Sequence, residues 1–168
     1  NIWVGGEAGK QPLSQTAQVL RASGADVVGM QEVLGRDDNG ERPDNGAVLA
    51  KLLGWNYASQ GNGRAILSEF EIVGLTPGRH GAELRLPSGT RVVMFNVHLN
   101  HAPYQPYQLL RIPYADAPFL SSADELVAAA HAARGHELDA VIDEMEAYLQ
   151  QGIPVVLTGD FNEPSHHD

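Results

Sequence analysis

The chain has 168 residues, 43% of them apolar and 19% charged, enough for one domain with a real core and no run of the roughly 20 apolar residues a membrane span needs. Its 21 Asp and Glu against 11 Lys and Arg give a net charge of −10, which disfavours sequence-independent binding to nucleic-acid backbones unless a divalent cation reverses the sign locally. Cysteine is absent, which excludes disulfides, thiolate metal sites and a thiol nucleophile and leaves the compartment open.

Ile2-Trp3-Val4 reads as the tail of a strand, broken by Gly5-Gly6. Leu13, Ala17, Val19-Leu20 and Ala22 predict an amphipathic helix closed by Gly24. Residues 26–32 are a short apolar run that ends in Gln31-Glu32, the way a buried strand delivers polar groups to its C-terminal end. Residues 35–45 are polar and turn-rich, and 47–53 predict a short helix stopped by Gly54.

Two strands, 55–59 and 65–68, are joined through Gly61-Asn62-Gly63, a hairpin signal. Residues 82–86 and 91–99 form a second hairpin about Pro87-Ser88-Gly89-Thr90, and its second strand is the most apolar of the chain. Residues 100–120, with four prolines and three tyrosines, predict a long ordered loop, a length that commonly signals function. Tyr104, Tyr107 and Tyr114 either line a cleft or pack this loop onto a sheet, and His101 belongs to the same surface.

Ser122 with Glu125 is a capping-box signature opening a helix to about Gln150, with Gly135 as a point of interruption. Leu138, Val141-Ile142, Met145 and Leu149 supply its apolar stripe, while Asp139, Asp143, Glu144 and Glu146 read as its solvated face. A last buried strand, 153–158, delivers Gly159-Asp160-Phe161-Asn162. Strands alternating with helices predict a layered α/β domain.

Three apolar strands thus end in polar clusters: Gln31-Glu32, Asn96 to His98, and Asp160 to Asn162. A carboxylate pair with Asn and His suits a hard cation and a phosphate. His protonates a leaving oxygen, and Asn holds a non-bridging one. The spacing of histidines typical of zinc sites is missing, so Mg²⁺ or Mn²⁺ is expected ahead of zinc.

Asn1-Ile2-Trp3, Gln31-Glu32, residues 63–68 (GRAILS), Asn96-Val97-His98-Leu99 and Gly159-Asp160-Phe161-Asn162 resemble, in order, the motifs of the endonuclease/exonuclease/phosphatase (DNase I-like) superfamily. Residues 102–114 and 163–168 further resemble a bacterial branch of metal-dependent hydrolases.

The resemblance implies a four-layer α/β/β/α sandwich and metal-dependent hydrolysis of a phosphoester, most of all a phosphodiester, by in-line water attack. It implies that Glu32 binds the metal with help from Asn1 and that His98 contacts phosphate as a general acid. Asp160 would orient the attacking water, and Asn162 would bind phosphate beside it. His166, just past Asn162, is an additional candidate.

The family closes its site with a later Asp and a Ser-Asp-His segment that this sequence does not contain. Residues 1–168 are therefore expected to be a partial domain, truncated at both ends and inactive by itself. Substrates hosted by the fold include nucleic acids, lipid headgroups and small phosphate compounds. The acidity ranks a small or lipid phosphodiester above duplex DNA. Two alternatives stand beside this reading: a non-catalytic binding module on the same fold, and a zinc hydrolase built from His98, His101, His166 and Asp168.

Overall fold

The computed structural model describes residues 1–37, 39–116 and 118–163. Its elements are α1 (Leu13–Ser23), β1 (Val27–Met30), α2 (Asn45–Leu53), β2 (Asn56–Gly61), β3 (Arg64–Ser68), β4 (Glu71–Leu75), β5 (Gly81–Arg85), β6 (Arg91–His98), α3 (Gln105–Leu109), α4 (Ala123–Leu149) and β7 (Val155–Asp160).

Two sheets form, with strand orders β1-β3-β2 and β4-β5-β6-β7. All pairings are antiparallel except β6 with β7, which run parallel from Val93↔Val155 to His98↔Asp160. A parallel pair needs a long crossover, and α4 supplies it.

The period-two alternation of the strands sorts their side chains into layers. On β3, Ala65 and Leu67 pack with Ala17, Leu49 and Ala50 of α1 and α2. Ile66, between them, faces the opposite way and meets Ala82, Leu84 and Met94 of the second sheet. On β6, Met94 joins that inter-sheet layer, while Val93, Phe95 and Val97 pack with Val141 and Tyr148 of α4. The result is the expected four-layer order: helices, sheet, sheet, helix. Phe95 is fully buried, so truncating it to Ala is expected to cost about 3–5 kcal/mol.

Helix ends follow the sequence signals. Gly24 and Gly54 take left-handed backbone at the C-caps of α1 and α2. Ser122 Oγ accepts from Glu125 N at 3.2 Å. The return bond of the capping box comes from Ser121 N to Glu125 Oε2 at 3.0 Å, one residue upstream of the standard donor.

Several expectations are corrected. Residues 2–4 are not the tail of a strand: residues 3–10 are turns, with Trp3 and Val4 at φ 52° and 55°. Strand β4 escaped the sequence reading because it lies half-exposed at a sheet edge, with Glu71 and Gly74 diluting its pattern. The loop after β6 contains the short helix α3. Gly135 does not interrupt α4.

The apolar stripe of α4 also differs. Ile142 and Leu149 are exposed, and Tyr148 is buried in place of Leu149. Its neighbour Glu144 is not on a solvated face. It accepts from Gly78 N at 2.7 Å and Thr76 Oγ1 at 3.1 Å and meets His80 Nδ1 at 2.9 Å, which ties α4 to the β4–β5 turn.

Candidate active site

β1, β6 and β7 end at the same end of the two sheets. Asn1 bridges their tips: its Nδ2 donates to Glu32 Oε1 and to Asp160 Oδ2, each at 2.9 Å. Glu32 Oε2 accepts from Val4 N at 3.0 Å. The turns that replaced the expected N-terminal strand therefore wrap this carboxylate.

Glu32 sits at φ 55°, a conformation that costs a non-glycine residue about 1–3 kcal/mol. Its backbone is fixed on both sides, since Gly5 N donates to Glu32 O at 2.6 Å and Val33 N to Gly63 O at 2.9 Å. Asn162 is also left-handed, at φ 51°. Two of the sequence-selected residues thus hold backbone conformations that their surroundings enforce.

Beneath the carboxylates runs a buried amide network. Gln31, 4% exposed, accepts from the Asn1 backbone nitrogen at 2.8 Å and donates through Nε2 to Asn96 Oδ1. Asn96 Nδ2 lies within hydrogen-bond reach of Met30 O (3.0 Å), Gln60 Oε1 (2.8 Å) and Ala65 O (3.2 Å). Gly29 makes room for it: a Cβ there would stand 2.6 Å from Asn96 Oδ1. Asn96 is therefore committed to joining the sheets and does not face a ligand. Sequence reading grouped it with the phosphate-facing residues. Its place in the middle of an apolar strand, two residues before His98 on the inter-sheet face, was the signal that could have separated it.

Asp160 pairs with His98 across β6–β7. Burial raises its carboxyl pKa. The Asn1 amide, Asn162 N at 3.1 Å from Oδ1, and the nearby His98 outweigh burial and hold it below the ordinary aspartate value. Asn162 Nδ2 donates to Leu99 O at 2.8 Å, so this side chain also braces the β6 tip.

A cavity of about 640 Å³ opens over Asp160, Asn1, Gln31 and Asn162, with Tyr104, Tyr107 and Tyr114 as its opposite wall. The three rings meet edge to face, with centroids 5.0 Å apart for Tyr104–Tyr107 and 5.2 Å for Tyr107–Tyr114. His101 stacks edge-on against Tyr114 at 5.6 Å. The tyrosines therefore both pack the loop and line the cleft. Burial, then neighbouring Tyr107, Glu32 and Asp160, raise the Tyr114 pKa, so this hydroxyl stays protonated beside the carboxylates.

Arg134, 4% exposed on α4, anchors this loop: it donates to Asn100 O at 2.9 Å and Pro103 O at 3.0 Å and pairs with Glu163. Sequence reading passed over it. A single arginine in the alanine-rich first half of α4 was the visible sign.

Asn1, Glu32, Asp160 and Asn162 are thus brought together, with His98 beside Asp160. His98 borders a second, neighbouring cavity rather than the tyrosine-lined one. His166 and the zinc-site candidate Asp168 lie outside the described residues. Among the described residues, no group of three or more His, Cys, Asp and Glu gathers as a metal cage. Two carboxylates held on one amide fit a hard cation that keeps most of its waters, the habit of Mg²⁺, better than a four-ligand zinc site.

A family model described as Endonuclease/Exonuclease/phosphatase family matches residues 1–168. An uncharacterized protein of Caenorhabditis elegans is 23% identical over 181 residues, covering 100% of this chain and 53% of the relative. The chain thus spans about half the length of the curated relative it matches. No solved structure matches it. No helix among the described residues is long and apolar enough to cross a membrane.

Proposed function

Because the chain belongs to the endonuclease/exonuclease/phosphatase family, we propose that it carries the hydrolytic centre of a divalent-metal-dependent phosphoesterase acting on a small or lipid phosphodiester. The observation that carries this reading is the Asn1 amide, which holds Glu32 and Asp160 together at the edge of a cavity that Asn1 and Asp160 line.

Glu32, with Asn1, is the group that would hold Mg²⁺ or Mn²⁺. The bound cation supplies positive charge against the phosphoryl oxygens and the leaving oxygen. Asp160 accepts a hydrogen bond from the attacking water and orients it in line. Its lowered pKa keeps it ionised, as an acceptor must be. His98, next to Asp160 in the parallel pair, would act as the general acid toward a phosphate oxygen. Asn162 and the Asn1 amide fix the position of Asp160.

The cavity volume falls in the range that small ligands fill, and its tyrosine wall offers an apolar and hydrogen-bonding surface. The net charge of −10 works against a long polyanion such as duplex DNA.

The test is hydrolysis of bis(4-nitrophenyl) phosphate with Mg²⁺ or Mn²⁺, by this chain and by a version extended to the length of its relatives. Turnover that needs the cation and disappears in Glu32→Gln is expected. Full turnover in excess chelator would overturn the metal assignment. No turnover in any folded, metal-loaded form would favour a binding module.

A further inference from the structure

His98 lines a second cavity, of about 280 Å³, between the β2–β3 hairpin and α4. Arg64, His80, His98, His136 and Glu137 contribute its polar lining. Arg64 opens β3 directly after Asn62 and Gly63, both left-handed, so the hairpin turn aims it at this space.

Arg64 is half-buried, and its guanidinium makes no hydrogen bond and no ion pair among the described residues. Burial disfavours its charge, while Glu137 nearby favours it. The guanidinium keeps contact with solvent, so its N–H groups are open to a ligand entering the cavity. Glu137 does not pair with it: its Oε2 accepts from Asn100 N at 3.2 Å. His80 turns Nδ1 to Glu144, which leaves its Nε2 edge unused among the described residues. A planar guanidinium with a free edge is matched by a phosphate, which it binds with two parallel hydrogen bonds.

We propose that this cavity is a second anion subsite, which takes a phosphate group that the substrate carries beside the scissile one, with Arg64 as its principal ligand. His136 and the Nε2 edge of His80 complete its lining. The inference rests on the reading of Glu32 and Asp160 as the scissile-phosphate site, because His98, which lines this cavity, pairs with Asp160 across β6–β7. It narrows the substrate class to esters that bear a second phosphate, and it implies that inorganic phosphate alone binds here.

Isothermal titration with inorganic phosphate in metal-free buffer tests the subsite without relying on turnover. The wild-type chain should bind. Arg64→Met should weaken binding at least about tenfold, the loss expected for a charged hydrogen bond. Glu137→Gln should tighten it several-fold, a gain that a merely structural role would not produce. Asp160→Asn should leave it within about twofold. Retained binding in folded Arg64→Met, weaker binding in Glu137→Gln, or no binding by wild type would each overturn the subsite.

A second measurement compares bis(4-nitrophenyl) phosphate with a 4-nitrophenyl diester that carries a terminal phosphate. Arg64→Met should raise KM about tenfold for the latter and leave the former unchanged. An equal change for both would overturn the link to substrate. Phosphate binding that depends on Arg64, with no turnover in the metal-loaded version extended to the length of its relatives, would instead sink the catalytic reading of Glu32 and Asp160.

Discussion

Glu32 and Asp160, 128 positions apart in sequence, share one hydrogen-bond donor: the Asn1 side-chain amide stands 2.9 Å from an oxygen of each. Two like charges held on one neutral amide repel each other, and a cation between them would relieve that repulsion. Glu32→Gln removes one charge and keeps an acceptor for only one of Asn1 Nδ2 and Val4 N. It is expected to lower cation affinity strongly and to abolish turnover. The fold should change by no more than about 1–2 kcal/mol, the cost of one lost hydrogen bond at a partly solvated strand end. Calorimetric titration with Mn²⁺ and urea denaturation check the two halves. A variant that binds Mn²⁺ as tightly as the wild type would contradict the role given to Glu32.

Asn96 should matter to the fold far more than to any ligand. Asn96→Leu removes the partner of Gln31 Nε2, Gln60 Oε1 and the Met30 carbonyl in a fully buried place. Each group left unsatisfied costs about 1–3 kcal/mol, so a total loss of about 3 kcal/mol or more is expected from urea melts. Because Gln31 also accepts from the Asn1 backbone nitrogen, a folded variant should lose activity through a displaced Asn1. If Asn96→Leu stayed within about 0.5 kcal/mol of the wild type, the network would contribute nothing net.

The pH dependence of stability should carry the signature of Asp160. Its folded pKa is depressed, so its contribution is fully present above the unfolded value, about 3.9. That contribution fades as pH falls through the folded value. The stability difference between wild type and Asp160→Asn is therefore expected to be flat above about pH 5 and to shrink in more acidic buffer. Guanidinium melts from neutral pH down to the acid limit of folding measure it. A difference that grew on acidification would mean that burial, not the Asn1 and Asn162 bonds, dominates.

Much of this arrangement was legible in the sequence. Apolar runs ending in Gln31-Glu32, His98 and Asp160 placed the polar tips of three strands together, and the strand-helix alternation pointed to the layers. What escaped were features that periodicity does not encode. The turns at residues 3–10 form because Val4 N finds Glu32 and Gly5 N finds the Glu32 carbonyl, contacts between segments far apart in the chain. Glu144 reads as surface on a helical wheel, yet the β4–β5 turn, itself unread, comes to meet it. Arg134 and Asn96 are polar residues on buried faces. Their partners are backbone carbonyls and other amides, which leave no pattern in the sequence.

Arg134 gives the last test, because it connects the tyrosine wall of the cleft to α4. Its guanidinium holds the carbonyls of Asn100 and Pro103, at the start of the loop that carries Tyr104, Tyr107 and Tyr114, and it pairs with Glu163. Arg134→Met keeps the aliphatic stem and removes all three contacts. Breaking one side of a buried ion pair costs about 3–5 kcal/mol, since the remaining carboxylate stays without its counter-charge. Adding Glu163→Gln to Arg134→Met should recover part of that loss, which separates the stranded charge from the lost loop anchor. The loop should remain loose in the double variant. Its peptide bonds near residues 100–110 should then become open to limited proteolysis while β6 and β7 stay protected. In an active form, KM should rise more than kcat falls, because the tyrosine wall binds and Asp160 is untouched. A double variant with wild-type stability and an unchanged proteolytic pattern would show that Arg134 does not position this loop.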